Sequence, residues 1–279
     1  MRKMKKMFNR KSKKVAQIAL NTFIILLFSL GLYPLLMAVW CAFKTPEQYR
    51  LFKWFPTFPL RGENISLAFD KIEGYMLRTV FVAVAATVLM LFVTTMAAFS
   101  ISKLKFKGSK ILFALILALN MVPGVLTLVP TVMLYHSLGL NDTLLALILP
   151  PAFSTGTTFL LICSFRGLPE STFEAAQIDG ANDFQKYLLI GLPLAVPIIA
   201  TIAIMQVSGT WGDFAWPMLI MTRANYTIAA GLKTEFYDTT VSMPVSFAAY
   251  LMASLPLIIL FFFTGRLYDE GLVASGLKL

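Results

Sequence analysis

Six uninterrupted apolar runs, each long enough to cross a bilayer, constrain this chain more than any other feature. They lie at Val15 to Phe43 and at about Met76 to Ile101, Ile111 to Tyr135, Leu144 to Phe165, Leu188 to Met221 and Pro244 to Thr264. A helix needs about 20 apolar residues to cross the hydrocarbon core, whereas a barrel strand alternates over about 10. The chain is 58% hydrophobic and 14% charged, against about 25% charged in soluble domains. That much apolar surface cannot be buried in one soluble core. The runs specify an all-α integral membrane protein with six transmembrane helices.

The polar stretches set the organisation. Residues 1–14 form a basic tail holding eight Lys and Arg residues, and residues 15–279 form the six-span domain. The first run is too long for the apolar region of a signal peptide and lacks a small-residue cleavage site. Tyr33-Pro34 predicts a kink in it. Residues 44–75 read as an external loop with a short surface helix near Leu67 to Ile72, and Asn141 reads as the cap of the fourth span. With the N-terminus inside, internal segments carry 16 of the 24 basic residues and external ones 8. Basic residues concentrate on the cytoplasmic side, so the expected topology is N-in and C-in. The +10 net charge has the same explanation, and no basic, aromatic surface for nucleic acid is available.

Little in the chain can do covalent chemistry. The one histidine, His136, leaves no nucleophilic triad, and Cys41 and Cys163 have no metal-ligand spacing. No catalytic, metal or cofactor site is expected. A phosphate-cradling glycine loop with Lys-Ser/Thr is absent, so the chain does not bind ATP by itself. An ion-coupled carrier needs ionisable or oxygen ligands near the midplane, and Asp213 is the only acid well inside a span. It stands in Trp211-Gly212-Asp213-Phe214-Ala215-Trp216-Pro217. Two readings are open there. Trp211 and Trp216 stack on a sugar ring while Asp213 accepts from hydroxyls, or Asp213 caps a broken helix and the tryptophans anchor at the interface. The intramembrane prolines Pro123, Pro130, Pro150 and Pro151 point to helices packed round a cavity, where freed carbonyls find partners.

The fourth and fifth runs flank a polar island at 166–187 that holds four acids between Glu170 and Asp183. Pro169 and Glu170 suit the first turn of a helix. Glu170 and Glu174 lie four apart, on one face. Gly180 is placed to stop the helix in a left-handed conformation, and Asn182 to cap the next one. The expected form is helix, elbow, helix. Its small residues, Ala175, Ala176, Gly180 and Ala181, leave room for another protein.

Glu174-Ala175-Ala176, then Gly180, Ile190, Leu192 and Pro193, resembles the EAA loop of bacterial ABC importer permeases. The fuller Glu-Ala-Ala-x-Ile-Asp-Gly-Ala form is similar to the carbohydrate, maltose-type (MalG-like) branch. Ala97-Ala98-Phe99-Ser100, Gly139-Leu140-Asn141-Asp142-Thr143 and Trp211-Gly212-Asp213-Phe214 look like that family at corresponding places, although Gly212 stands where the family usually has Asn. The resemblance implies a type I ABC importer permease fold in the bacterial cytoplasmic (inner) membrane. It implies four partners besides lipid: a second permease subunit, two ATPase subunits that bind ATP and Mg, and an extracytoplasmic solute-binding protein. Glu170, Glu174, Ala175, Ala176, Asp179, Gly180 and Ala181 would couple to the ATPase, and Thr222 to Met243 would probe the binding protein. The rival readings are an importer of a non-sugar solute and an ion-coupled carrier or channel.

Overall fold

The computed structural model describes residues 2–104, 106–237 and 241–274. The chain divides into two compact units. One holds the residues up to Asp70 with those from 241 to Met252, and the other holds Lys71 to 237 with those from Ala253 onward.

In the first unit, α1 (Arg2–Ala42) is one continuous helix that includes both the basic run and the first apolar run. After it, Thr45 starts the short helix α2 (Pro46–Phe52) with a reciprocal capping box to Gln48. The next helix, α3 (Glu63–Lys103), starts thirteen residues before the expected second span and absorbs the expected surface helix at 67–72. Lys44 organises the link between α1 and α3. Its side chain is fully buried, and its ammonium donates to the carbonyls of Phe52 and Phe55. The buried Asn64 amide donates to the carbonyls of Ala42 and Lys44, both at 2.8 Å. A buried charge is tolerable only with such partners.

In the second unit, prolines divide the expected spans. The third is α4 (Ser109–Asn120) and α5 (Gly124–Ser137), bent by 100° at residues 121–123. Pro123 cannot donate to the ladder, so the helix restarts there. The fourth is α6 (Leu145–Ala152), which contains Pro150 and Pro151, and α7 (Thr155–Arg166), started by Ser154 accepting from the Thr157 N–H. The expected cap of the fourth span is corrected: Thr143 Oγ1, not Asn141, receives the Ala146 N–H.

The island gives α8 (Glu170–Ile178) and α9 (Asp183–Lys186). The fifth run is several pieces. A π-helical turn (Tyr187–Gly191) leads into α10 (Leu192–Leu194), α11 (Val196–Gly212) and α12 (Ala215–Ile220). A 3-10 turn (Arg223–Asn225), α13 (Ile228–Glu235) and α14 (Met243–Ala274) follow. Among the described residues, four helical stretches (with α6 and α7 taken together as one) are long and apolar enough to cross a membrane, or up to six when each bent pair counts as one span.

Two apolar clusters hold the second unit. One joins Phe99, Phe165, Phe173 and Tyr187 with Leu161, Ile162 and Ile198. The other joins Val82, Ala86, Tyr135, Leu147 and Ile220. Gly191 is required by the first, because a Cβ there would lie 2.9 Å from the Phe99 ring. Gly191→Ala is expected to destabilise the protein by about 1–3 kcal/mol through overpacking, read as a lower melting temperature in detergent. Gly209→Ala, where a Cβ meets open space, is the matched control.

Candidate functional site

Two features qualify, and both lie in the second unit. The first is the elbow. Pro169 precedes α8 with φ −58° and ψ 124°, and Glu170 occupies the first turn. Gly180 has φ +83°. Its N–H donates to the Gln177 carbonyl at 3.2 Å, and the Ala181 N–H donates to the Ala176 carbonyl at 2.9 Å. This is the paired hydrogen bonding of a Schellman stop. Asn182 and Gln185 then form a capping box on α9. The local physics of the island was therefore legible in its residues.

The elbow presents one face and anchors the other. Glu170, Glu174, Ala175, Asp179 and Gly180 are exposed, and Ala176 and Ala181 are half-buried. Ile178 is 87% exposed and Phe184 61%, an apolar display unusual beside four acids. On the opposite face Phe173 is buried against Phe99, with ring centroids 6.0 Å apart. Lys103, the last residue of α3, lies 4.7 Å over the Phe173 ring. Its ammonium also donates to Glu170 Oε2 at 3.0 Å and to the Leu168 carbonyl at 2.9 Å. Phe99 in turn packs on Tyr187 and Phe165. Tyr187 shares a 2.8 Å hydrogen bond with Thr95. A groove of about 560 Å³ runs beside α8, lined by Lys103, Phe106, Glu170, Glu174, Gln177 and Asp183 among others. Sequence reasoning did not assign Lys103 or Phe173 to this site, although a basic helix end before an acidic helix start is a usable signal.

The second feature is a cavity of about 320 Å³ lined by Val82, Leu147, Pro150, Pro151, Gln206, Gly209, Thr210, Asp213, Trp216, Pro217 and Thr227. Asp213 interrupts the helix. Its Oδ1 accepts from the N–H groups of Ala215 and Trp216, at 3.0 and 3.2 Å, and so starts α12. It is both a helix start and part of the cavity wall. Trp216 donates its indole N–H to the Ala146 carbonyl at 2.8 Å and meets Tyr135 edge-on. Trp211 is different from the expectation: it is buried, its N–H donates to the Ala253 carbonyl, and it does not line the cavity. Gln206, bonded to Thr210 at 3.0 Å, is a lining polar group that sequence reasoning missed. A lone glutamine in an apolar helix marks such a site.

Next to this cavity the 138–144 and 221–228 loops are latched. Asp142, held at φ 57°, accepts from the Thr222 N–H at 2.8 Å and from its hydroxyl. Arg78 donates to the Tyr226 carbonyl, and the Ile228 N–H donates to Thr79 Oγ1 at 2.7 Å. Residues 238–240, within the expected probing segment Thr222 to Met243, lie outside the described residues.

A helical membrane protein with a docked polar elbow and an intramembrane cavity is a transport permease in form. Residues 91–273 match the family described as the binding-protein-dependent transport system inner membrane component, and the chain belongs to that family. It is 30% identical to a probable ABC transporter permease protein, YurM of Bacillus subtilis, over 96% of this chain and 91% of that one. It is 31% identical to the arabinooligosaccharides transport system permease protein AraQ of Halalkalibacterium halodurans, over 72% of each. The crystal structure of a bacterial ABC transporter involved in the import of the acidic polysaccharide alginate superposes with a TM-score of 0.83. That alignment covers 91% of this chain and 97% of the other at 20% identity, which shows a common fold.

The Asp142 latch is expected to depend on pH. The Thr222 N–H foremost, then the Asn225 side chain, hold the Asp142 carboxyl below its ordinary value. A lowered folded value means the latch is complete above the ordinary Asp pKa of about 3.9 and is lost as pH falls through the lower folded value. Asp142→Ala is expected to release the loop at neutral pH, read as faster trypsin cleavage after Arg223. Cleavage at the native rate would show that Asp142 does not hold the loop.

Proposed function

We propose that this importer permease carries a neutral saccharide and that α8 is the surface through which a cytoplasmic ATPase drives it. The observation that carries the reading is the geometry of α8. Its exposed face offers the small Ala175, the acids Glu170 and Glu174 and the apolar Ile178, with Asp179 just past its end, while Phe173 and Lys103 fix its other face to the core. A partner that displaces α8 therefore also displaces α3, α7 and the Tyr187 turn. ATP with Mg binds in the two ATPase subunits, and this chain catalyses nothing itself. It pairs with a second permease subunit, has both termini inside, and receives solute from an extracytoplasmic binding protein.

The sugar class is supported by relatives named for arabinooligosaccharides and for the carboxylated polygalacturonan/rhamnogalacturonan, and the neutral reading rests on the cavity alone. The cavity supports a neutral substrate. Its wall offers Gln206, Thr210, Thr227 and Asp213 as hydrogen-bonding groups and Trp216 as a ring face, with no basic side chain. A carboxylated sugar would meet Asp213 without a counter-cation, which is costly at low dielectric. Few polar groups on a largely apolar wall suit a ligand recognised by shape and hydroxyl pattern.

Gly180→Asp tests the docking claim. A side chain at positive φ costs about 1–2 kcal/mol, too little to prevent insertion of this many apolar helices. The variant is expected to insert normally, to lose ATPase association and to abolish labelled-sugar uptake. Normal uptake with normal association would sink the proposal.

Two substitutions separate the roles of Asp213. Asp213→Ala removes the acceptor for two N–H groups and is expected to cost about 1 kcal/mol of stability. Asp213→Asn keeps that acceptor and removes the charge, and it is expected to raise the apparent KM for uptake while assembly stays normal. Unchanged kinetics in Asp213→Asn would leave the residue a helix start alone.

A further inference from the structure

The end of α2 and the chain from there to α3, in the first unit, have a construction that transport does not explain. Leu51, Trp54, Phe55 and Phe58 are 71%, 52%, 69% and 81% exposed. Exposed apolar loops are usually mobile and short of internal bonds. This one is tied down from beneath. The buried Lys44 ammonium takes the carbonyls of Phe52 and Phe55. Tyr33 donates its hydroxyl to the Trp54 carbonyl at 2.9 Å, and the Trp40 indole N–H donates to the Lys53 carbonyl at 3.4 Å. The backbone polar groups thus face inward and the large apolar side chains face outward.

The bonds to α1 fix the level of this loop. Tyr33 lies nine residues before the end of α1 at Ala42, which is about 13 Å back along the helix axis at 1.5 Å per residue. The loop therefore leaves α1, turns through α2, and comes back down beside the membrane-crossing helix. Around Tyr33 that helix shows apolar side chains outward, with Leu30 67% and Leu35 64% exposed. The loop's aromatic side chains lie beside this exposed apolar surface, toward the end of the first apolar run at Phe43. Two cations border it: Arg50 is exposed, and the Lys53 ammonium stands 5.3 Å over the Trp54 ring. Aromatic rings with flanking Lys or Arg are the composition of a membrane–water interface.

We infer that residues 50–58 form an interfacial anchor whose occupant is the bilayer. Leu51, Trp54, Phe55 and Phe58 enter the headgroup–acyl boundary, and Arg50 and Lys53 hold anionic phospholipid headgroups. The segment keeps α1 at a fixed depth at the end opposite its basic run. The inference rests on α1 as a membrane span and is independent of the solute carried.

The test uses the complete transporter in nanodiscs made from equal parts phosphatidylcholine and phosphatidylglycerol. A bimane label is placed at Phe58→Cys in a Cys163→Ser background, since Cys41 is fully buried. Phe55→Cys serves as a second labelling position if the first variant does not assemble. Strong quenching by a lipid spin-labelled near its headgroup, with little quenching by aqueous iodide, is the expected result. Dominant iodide quenching would place the loop in water, and shielding from both quenchers would place it under protein. Either overturns the inference. Spin-labelled phosphatidylglycerol is expected to quench more than spin-labelled phosphatidylcholine, and Arg50→Gln with Lys53→Gln is expected to erase the difference. Equal quenching in the unaltered loop overturns the headgroup assignment. Sugar uptake measured on the same preparations reports separately on the proposed function.

Discussion

The enclosure of Phe173 by Phe99 and the Lys103 ammonium is the interaction on which the seating of α8 in the second unit depends. Without it α8 would be a solvated helix of nine residues, too short to be stable by itself. With it, three helices and a π-helical turn meet at one aromatic cluster. Lys103 contributes in three ways: its ammonium sits over the Phe173 ring, pairs with Glu170 and donates to the Leu168 carbonyl. Its side chain is nearly buried while Glu170 is half exposed, so the ion pair by itself counts for less than the carbonyl and ring contacts. Burial of Phe173, worth about 1.5–3 kcal/mol, supplies the larger share.

The breaks in the membrane helices follow the same economy. Each interruption leaves the first N–H groups of the following helix without intrahelical partners, and at two of them a side chain supplies the acceptor. Ser154 starts α7 after Pro150 and Pro151, and Asp213 starts α12 after α11. The π-helical turn at Tyr187–Gly191 lets the Leu192 N–H reach the Tyr187 carbonyl just before Pro193, which has no N–H to give. Broken helices in a membrane are tolerated when they line a cavity or are covered by protein. The space lined by Pro150, Pro151 and Asp213 fits that rule.

The sequence was most readable where the physics is local. The Pro169 start, the Gly180 stop and the Asn182 cap each depend on a residue and its near neighbours, and each appears in the structure as read. Span count was also legible, because about 20 apolar residues are required wherever a helix crosses. Helix ends were less so. The start of α3 at Glu63 depends on Asn64 bonding two carbonyls some twenty residues earlier, and no periodicity carries that. The 100° bend at Pro123 could be expected as a break but not as an angle. Trp211 and Trp216 looked alike in sequence. Only packing separates them, since one bonds to α14 and the other stands at a cavity wall.

Beside these interrupted helices in the second unit runs the unbroken α3. From Thr79 to Lys103 its 25 residues contain neither proline nor glycine, and at 1.5 Å per residue they span about 36 Å. At one end Lys103 grips the elbow. At the other, Arg78 and Thr79 grip the Tyr226 carbonyl and the Ile228 N–H. An unbroken helix of that length is stiff along its axis. Under the proposed coupling, motion imposed on Lys103 would be delivered to the 226–228 loop as translation or rotation of a single rod, while the jointed helices beside it would flex. In that proposal α3 would act as a push-rod, and the wall of the cavity would be made of parts that yield to it.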